Sequence, residues 1–315
     1  MTTDEGSAAT LGRLRESIAS VFLGPQLAVD RVLCCLLARG HLLLEDVPGV
    51  GKTVLATVAA RSIGGSSKRI QMTSDLLPAD VIGVSVYEEP RREFRFIPGP
   101  VFANVVIADE INRAPPRTQS ALLEAMNDNS VSVDGTTHRL PEPFLVIATQ
   151  NPTDHHGAYA LPESQLDRFL VRTSLGYLDN ESEIRVLLDN PVSQTLEDLT
   201  PVSHPDDVVA LQQLTDSTSL SRPLAEYIRA LASATRERPE LAAGLSTRGS
   251  LAVARMARAS ARVRDRDYVT TDDITDHFVA VAAHRLIPAG GTGALSVGDA
   301  ESLVHDVLSE TPMPL

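Results

Sequence analysis

The chain has no tryptophan, and only seven Phe, five Tyr and two Cys among 315 residues. Its cores must therefore be aliphatic. Cys34 and Cys35 are neighbours within the apolar run Val32 to Ala38, and chain neighbours rarely pair with each other. A disulfide scaffold is excluded, and buried free thiols in a reducing compartment are expected. Positive charge is scarce as well: 28 Lys and Arg against 41 Asp and Glu give a net charge of −13. That argues against a general nucleic-acid binder, which needs a basic surface for phosphate contacts. Apolar runs of membrane-spanning length are missing, and the opening MTTDEGSAATLG has no basic stretch ahead of an apolar segment. The expectation is a cytoplasmic protein without a membrane segment, long enough for two domains.

What is present is organised around HLLLEDVPGVGKTVLA, His41 to Ala56. An apolar run breaks into a Gly/Pro turn and then a helix-forming segment, with Gly51-Lys52-Thr53 at the junction. Backbone N–H groups of such a turn, with the helix N-terminus behind it, suit an anion. Lys52 adds an ammonium for the outer phosphates, and the Thr53 hydroxyl can ligate Mg²⁺. The strict phosphate-loop pattern wants Gly at position 46, where this chain has Asp46.

Further on, the apolar run of VVIADE, Val105 to Glu110, ends in two carboxylates. A strand buried on both faces shows ionisable groups only at its carboxyl end, which is where open α/β sheets bind ligands. Asp109 there would hold Mg²⁺ through water, and Glu110 would orient and deprotonate an attacking water. The strand Phe144 to Thr149 is followed by Asn151, whose amide could sense a γ-phosphate or simply form a turn before Pro152. Strands are also read at Lys68 to Thr73 and Val171 to Leu175. With the helices between them they make a doubly wound α/β domain.

Two hairpins are expected. Val84 to Ile97 alternates apolar and polar residues around a tip carrying Arg91, Arg92 and Arg95, and is a candidate contact element. Val131 to Leu140 is pinned by Asp134-Gly135. Ser74 is expected to cap a short helix ending at Ile82. Leu161 to Phe169 reads as a helix with Arg168 near its end. Adjacent His155 and His156 point apart on most backbones and read as loop. From Asn180 onward the chain reads as amphipathic helices without a convincing strand, followed by a linker from Pro288 to Gly293 and one more helix. Arg248 stands in a first helical turn, where a cation opposes the helix dipole and a ligand role gains some favour.

EDVPGVGKT, TSDLLPADVIGVSVYE, FRFIPGPVFANVVIADEINRAPPRTQSALLEAM, VIATQNP and LPESQLDRF together resemble the MoxR family of AAA+ ATPases, nearly continuously from Gly24 to Leu175 and more loosely to about Leu286. The resemblance implies an α/β AAA+ P-loop αβα core at 1–178 with a five-stranded parallel sheet and hairpin inserts, an all-α lid at 179–290, and a C-terminal tail or helix at 291–315. It implies Walker A at Gly49 to Thr53, within a nucleotide cradle of Pro48, Gly49, Val50, Gly51, Lys52, Thr53 and Val54. Walker B falls on Asp109 and Glu110, with Thr53 and Asp109 holding Mg²⁺. Sensor 1 is Asn151, the arginine finger Arg168 and sensor 2 Arg248, serving its own site or a neighbour's. Asp46 is usual in this family, whereas Pro25 stands where many relatives have Gln, which bears on adenine contacts. The implied function is a Mg²⁺-dependent ATPase working as a ring, expected to be a hexamer. Chaperone-like, it would remodel or activate a protein client alongside a protein with a von Willebrand factor A domain. The alternatives are the ATPase subunit of a metal chelatase and a nucleotide-dependent scaffold with little turnover; a DNA helicase fits the acidic chain less well.

Overall fold

The structure, a computed structural model, describes residues 4–151, 159–189, 199–289 and 297–314. His155 and His156, and part of the expected linker after Pro288, lie outside them. Two helices, α1 (Asp4–Val21) and α2 (Gln26–Leu37), precede β1 (Leu42–Glu45). The phosphate turn leads into α3 (Lys52–Ile63), then β2 (Ser67–Gln71) and α4 (Pro78–Ile82). Helix α4 starts at Pro78, so Ser74 does not cap it; the Asp80 carboxylate instead accepts from the Leu77 N–H at 2.8 Å. A hairpin follows, β3 (Gly83–Glu88) and β4 (Glu93–Pro98), then β5 (Val105–Asp109), α5 (Pro116–Asp128), and a second hairpin of β6 (Ser130–Val133) and β7 (Thr136–Arg139). Asp134 and Gly135 both have positive φ, 50° and 78°, the turn that matches strand twist. β8 (Leu145–Gln150), α6 (Glu163–Leu166) and β9 (Val171–Thr173) complete the unit.

Five strands form one parallel sheet in the order β2-β5-β8-β1-β9. The central strands are buried on both faces, as their continuous apolar runs require. Alternate residues feed two cores: Leu42, Leu44, Ile107 and Ile147 face one, and Leu43, Val106, Ala108 and Val146 the other. The first core runs on through α2, where Cys34 and Cys35 are buried free thiols. Burial pushes the Cys35 thiol up to about 12, so it stays protonated and serves as packing.

The remaining chain is α7 (Asn180–Asp189), α8 (Pro205–Asp216), α9 (Arg222–Arg236), α10 (Thr247–Val263), α11 (Thr271–Ala282) and α12 (Val297–Glu310). α8 and α10 pack on α2, so the first core continues into these helices. α12 packs on α9 and α11 through the buried Val304 and Val307. Ser246 caps α10 by accepting from the Gly249 N–H at 3.1 Å. Buried Asp273 at the start of α11 accepts from Thr270, Ser260 and Arg266. One expectation fails here: Leu241–Ala243 (β10) pairs antiparallel with Ile287–Pro288 (β11). Segments this short carry no period-2 signature.

The first hairpin stands on the second. Phe96 stacks on His138 with ring centroids 3.9 Å apart, and Phe102 meets the Phe96 ring edge-on at 5.5 Å. Val84 and Ile97 near its base, and Val86, Tyr87 and Phe94 farther out, are exposed. Arg95 lies on β4 opposite Val86 rather than at the tip, and reaches Glu88 at 3.0 Å.

Candidate functional site

In a parallel sheet all carboxyl ends fall on one side, and there the phosphate turn sits. Gly49 and Gly51 have φ of 88° and 91°, values that side chains with a Cβ rarely adopt. Nothing lies within 4 Å of where a Cβ on Gly49 would go, so conformation rather than crowding selects glycine there. Asp46 accepts from the N–H of Val47 at 2.8 Å and from those of Leu175 and Gly176 at 2.8 and 2.7 Å. The Lys52 ammonium donates to the Asp46 carbonyl and, at 3.1 Å, to the Gln150 carbonyl. Burial lowers its pKa, and the carboxylates of Asp46 and Glu110 oppose that shift.

Strand register builds the rest. Gln71 is opposite Asp109, and Leu44 opposite Thr149, so side chains of one face line up at the carboxyl edge. Asp109 Oδ1 receives the hydroxyls of Thr149 at 3.2 Å and Thr53 at 3.4 Å, and Oδ2 is 2.5 Å from Arg69 Nε. Glu110 has the left-handed φ of 56°, a strained conformation for a residue with a side chain. Its N–H donates to Thr149 Oγ1 at 2.9 Å, and its carboxylate accepts from Arg113 at 2.7 Å and Gln71 at 3.2 Å.

Together Pro48, Gly49, Gly51, Lys52, Thr53, Val54, Asp109, Glu110 and Asn151 line one cavity of about 370 Å³. An apolar cavity of about 410 Å³ adjoins it, sharing Pro48, Gly49, Gly51 and Val54 and walled by Val50, Phe22, Tyr177, Leu178 and Leu187. Leu23 and Gly24 line it, and Pro25 does not. Hydroxyl and carboxylate oxygens at Thr53 and Asp109 are the hard donors Mg²⁺ takes when phosphate and water complete its shell. Among the described residues no cluster of three or more His, Cys, Asp or Glu offers a metal cage. The donor set thus fits a phosphate-borne Mg²⁺.

Arg168 and Arg248 are not in that cavity. α6 ends at Leu166, and Arg168 lies in the turn just past its end, two residues before Leu170, whose N–H donates to the His41 carbonyl at 2.8 Å. This is the amino end of β1, one strand length from the phosphate turn, or about 13 Å at ~3.3 Å per residue. Arg248 joins it there, donating to Asn127 Oδ1 at 2.7 Å. Both line a cleft of about 130 Å³ with Arg39, Arg255, Arg285, Asp167 and His41. Among the described residues the Arg168 side chain has no ion pair or hydrogen bond. Arg285 is locked by Asp167 at 2.8 Å and the Phe169 carbonyl at 2.6 Å.

Sequence reasoning passed over Arg69, Gln71 and Thr149. Their signal was present in the strands: with period-2 alternation, Arg69 and Gln71 share a face, as do Thr149 and Ile147. What the sequence lacked was the pairing of β2 with β5.

Known proteins match along the whole length. Residues 41–171 match the model of the ATPase family associated with various cellular activities (AAA), and 233–306 that of the AAA lid domain. Chaperone MoxR1 of Mycobacterium tuberculosis is 41% identical over 98% of this chain and 85% of its own. Protein MoxR of Methylorubrum extorquens is 30% identical over 91% of this chain and 89% of its own. The crystal structure of a candidate ATPase from Cytophaga hutchinsonii superposes with a TM-score of 0.88 at 32% identity, covering 99% of this chain and 97% of that one.

Proposed function

Since the chain belongs to the MoxR family of AAA+ ATPases, we propose that it binds and hydrolyses ATP with Mg²⁺ at the carboxyl edge of the sheet, in a ring whose subunits complete one another's sites. The cycle drives remodelling or activation of a protein client, in company with a von Willebrand factor A domain protein. The base occupies the apolar cavity beside Tyr177 and Leu178, and the triphosphate lies over Gly49 to Thr53. Lys52, now spent on two carbonyls, turns to the outer phosphates. Thr53 and Asp109 hold Mg²⁺, which when bound neutralises phosphate charge. Glu110 takes the proton of the attacking water once its carboxylate leaves Arg113 and Gln71, and Asn151 positions that water against the γ-phosphate.

The observation that carries this reading is the split of the expected catalytic set between the two ends of the sheet. Arg168 and Arg248 lie together at the end away from the phosphate turn. No side-chain rotation carries them around the sheet. A neighbour's γ-phosphate is the anion they serve, and an arginine supplied in trans speeds phosphoryl transfer by orders of magnitude. The first hairpin, which has no duty in the pocket, contacts the client or the ring pore through its Arg91 and Arg92 tip, beside its exposed apolar flank.

Subunit mixing tests the arrangement. Arg168→Ala and Glu110→Gln should each bind ATP and lose turnover. Mixed in equal amounts, about a quarter of junctions pair an intact Glu110 with an intact Arg168, so hydrolysis should return at a fraction of wild type. Arg248→Ala mixed with Glu110→Gln should behave alike. Mixed rings shown to form, yet silent at every ratio, would overturn the trans assignment.

A further inference from the structure

The carboxylate assigned to Mg²⁺ is already engaged. Asp109 ends a strand buried along its whole length, and its side chain is only 5% exposed. An ionised carboxylate in such a place needs a counter-charge. Arg69 supplies it, with Nε 2.5 Å from Oδ2. Arg69 comes from β2, the edge strand of the sheet, and its side chain is 58% exposed. It also lines the same cavity as Gly49, Gly51 and Lys52. One cation therefore lies within reach of both the metal carboxylate and the space for the phosphates.

We propose that Arg69 is the resident cation of the metal site, pairing with Asp109 until nucleotide arrives, then giving up the carboxylate to Mg²⁺ and turning to the phosphates. This rests on the reading of Thr53 and Asp109 as Mg²⁺ ligands. A divalent ion entering the nucleotide-free pocket meets a carboxylate already engaged and a guanidinium that repels it. Binding must break an existing charge-assisted pair with nothing offered to the displaced arginine. An ion arriving with ATP brings phosphate oxygens that complete its own shell and give Arg69 a replacement partner. The exchange then conserves charge pairing on both sides. Arginine suits the task because its fork presents several donors and its charge is permanent. The consequence is an order of binding: the site takes metal together with nucleotide and resists free divalent ions beforehand.

Mn²⁺ titration of the full chain, following free ion by electron paramagnetic resonance, reads this directly. Without nucleotide, Arg69→Gln should bind Mn²⁺ roughly tenfold more tightly than wild type, because the competitor is gone. With a non-hydrolysable ATP analogue bound, the difference should shrink to within about threefold, since Arg69 has then left Asp109 in the wild type. Equal Kd values without nucleotide overturn the proposal, and so does a gain that persists undiminished with the analogue. Asp109→Asn separates the two readings. If it weakens Mn²⁺ binding with analogue while Arg69→Gln has no effect without it, the metal assignment stands and the resident cation falls. If Asp109→Asn also has no effect, both fall. Should Arg69→Gln not fold, Arg69→Lys carries the same test, with about threefold tightening expected because ammonium loses the fork geometry and no change overturning the proposal.

Discussion

The two ends of the sheet differ in how far the chain itself matches their cations. At the carboxyl end Lys52, Arg69 and Arg113 each have an acceptor from the chain itself: carbonyls for Lys52, Asp109 for Arg69, Glu110 for Arg113. At the amino end Arg39, Arg168, Arg248, Arg255 and Arg285 converge, and Asp167 is the carboxylate that lines their cleft. Asp167 pairs with Arg285 at 2.8 Å and with Arg248 at 3.7 Å, Arg39 is matched outside the cleft by Asp216 at 2.7 Å, and among the described residues Arg168 and Arg255 have no ion pair. In a chain of net charge −13, such a concentration of arginine is not a general property of the surface. A matched cation is structure until a ligand displaces its partner, whereas an unmatched one beside like charges waits for an anion the chain does not supply.

The sharpest way to break this contrast is within the carboxyl end itself. Lys52→Ala should abolish ATP binding, while Glu110→Gln should bind ATP normally and lose turnover by a factor on the order of 10² or more. In the proposed cycle, one group contacts phosphate in the ground state, and the other acts on water only during reaction. Nucleotide affinity by calorimetry checks the first and phosphate release the second. Comparable affinity in the two variants would remove the functional distinction.

Acid probes the amino end. His41 is buried, its Nδ1 accepting from the Val146 N–H at 3.0 Å and its Nε2 facing the Met126 carbonyl at 2.9 Å. Those partners fix a neutral ring, and burial pushes its pKa down to about 4, with Arg255 adding to the shift and the Met126 bond opposing it. Because the folded value lies below the unfolded one, its contribution to stability is present above about pH 6.5 and is lost as pH falls toward 4. At ~1.4 kcal/mol per unit, the loss is about 3 kcal/mol. His284 and His277 shift the same way through burial. The thermal midpoint of wild type should fall across that window, and His41→Gln, lower throughout, should show a shallower slope.

The gentlest test lies off the sheet. Reversing Arg91 and Arg92 to Glu should leave basal turnover near wild type, since exposed pairs such as Arg91 with Glu88 contribute less than ~1 kcal/mol, yet uncouple activity that depends on the client. Loss of basal turnover in a folded variant would place the hairpin tip in the pocket and undo its separation from both ends.

Much of the carboxyl end was legible because its parts are local in sequence. Gly49 to Thr53 make one turn, and Asp109-Glu110 close one apolar run, so periodicity and turn chemistry find them without knowledge of the fold. The five strands and both hairpins were legible for the same reason. Arg69 was not, since its meaning lies in a partner 40 residues away across a strand pair. The convergence of Arg168 and Arg248 was hidden likewise, because it depends on how α10 packs against the turn after α6. The strand pair β10–β11 escaped because three residues carry no period.

Asp46, the departure from the strict glycine pattern, has one more consequence. Its carboxylate grips the N–H groups of Leu175 and Gly176 on the segment that leaves the sheet for α7, at a glycine with φ of 69°. A glycine at position 46 would leave those donors to water. With Asp46 in place, the phosphate loop and the outgoing chain are one mechanical part. The loop that faces the cavity is thereby tied to the start of the segment leading to α7 by two hydrogen bonds, beside the contacts that α8 and α10 make with α2.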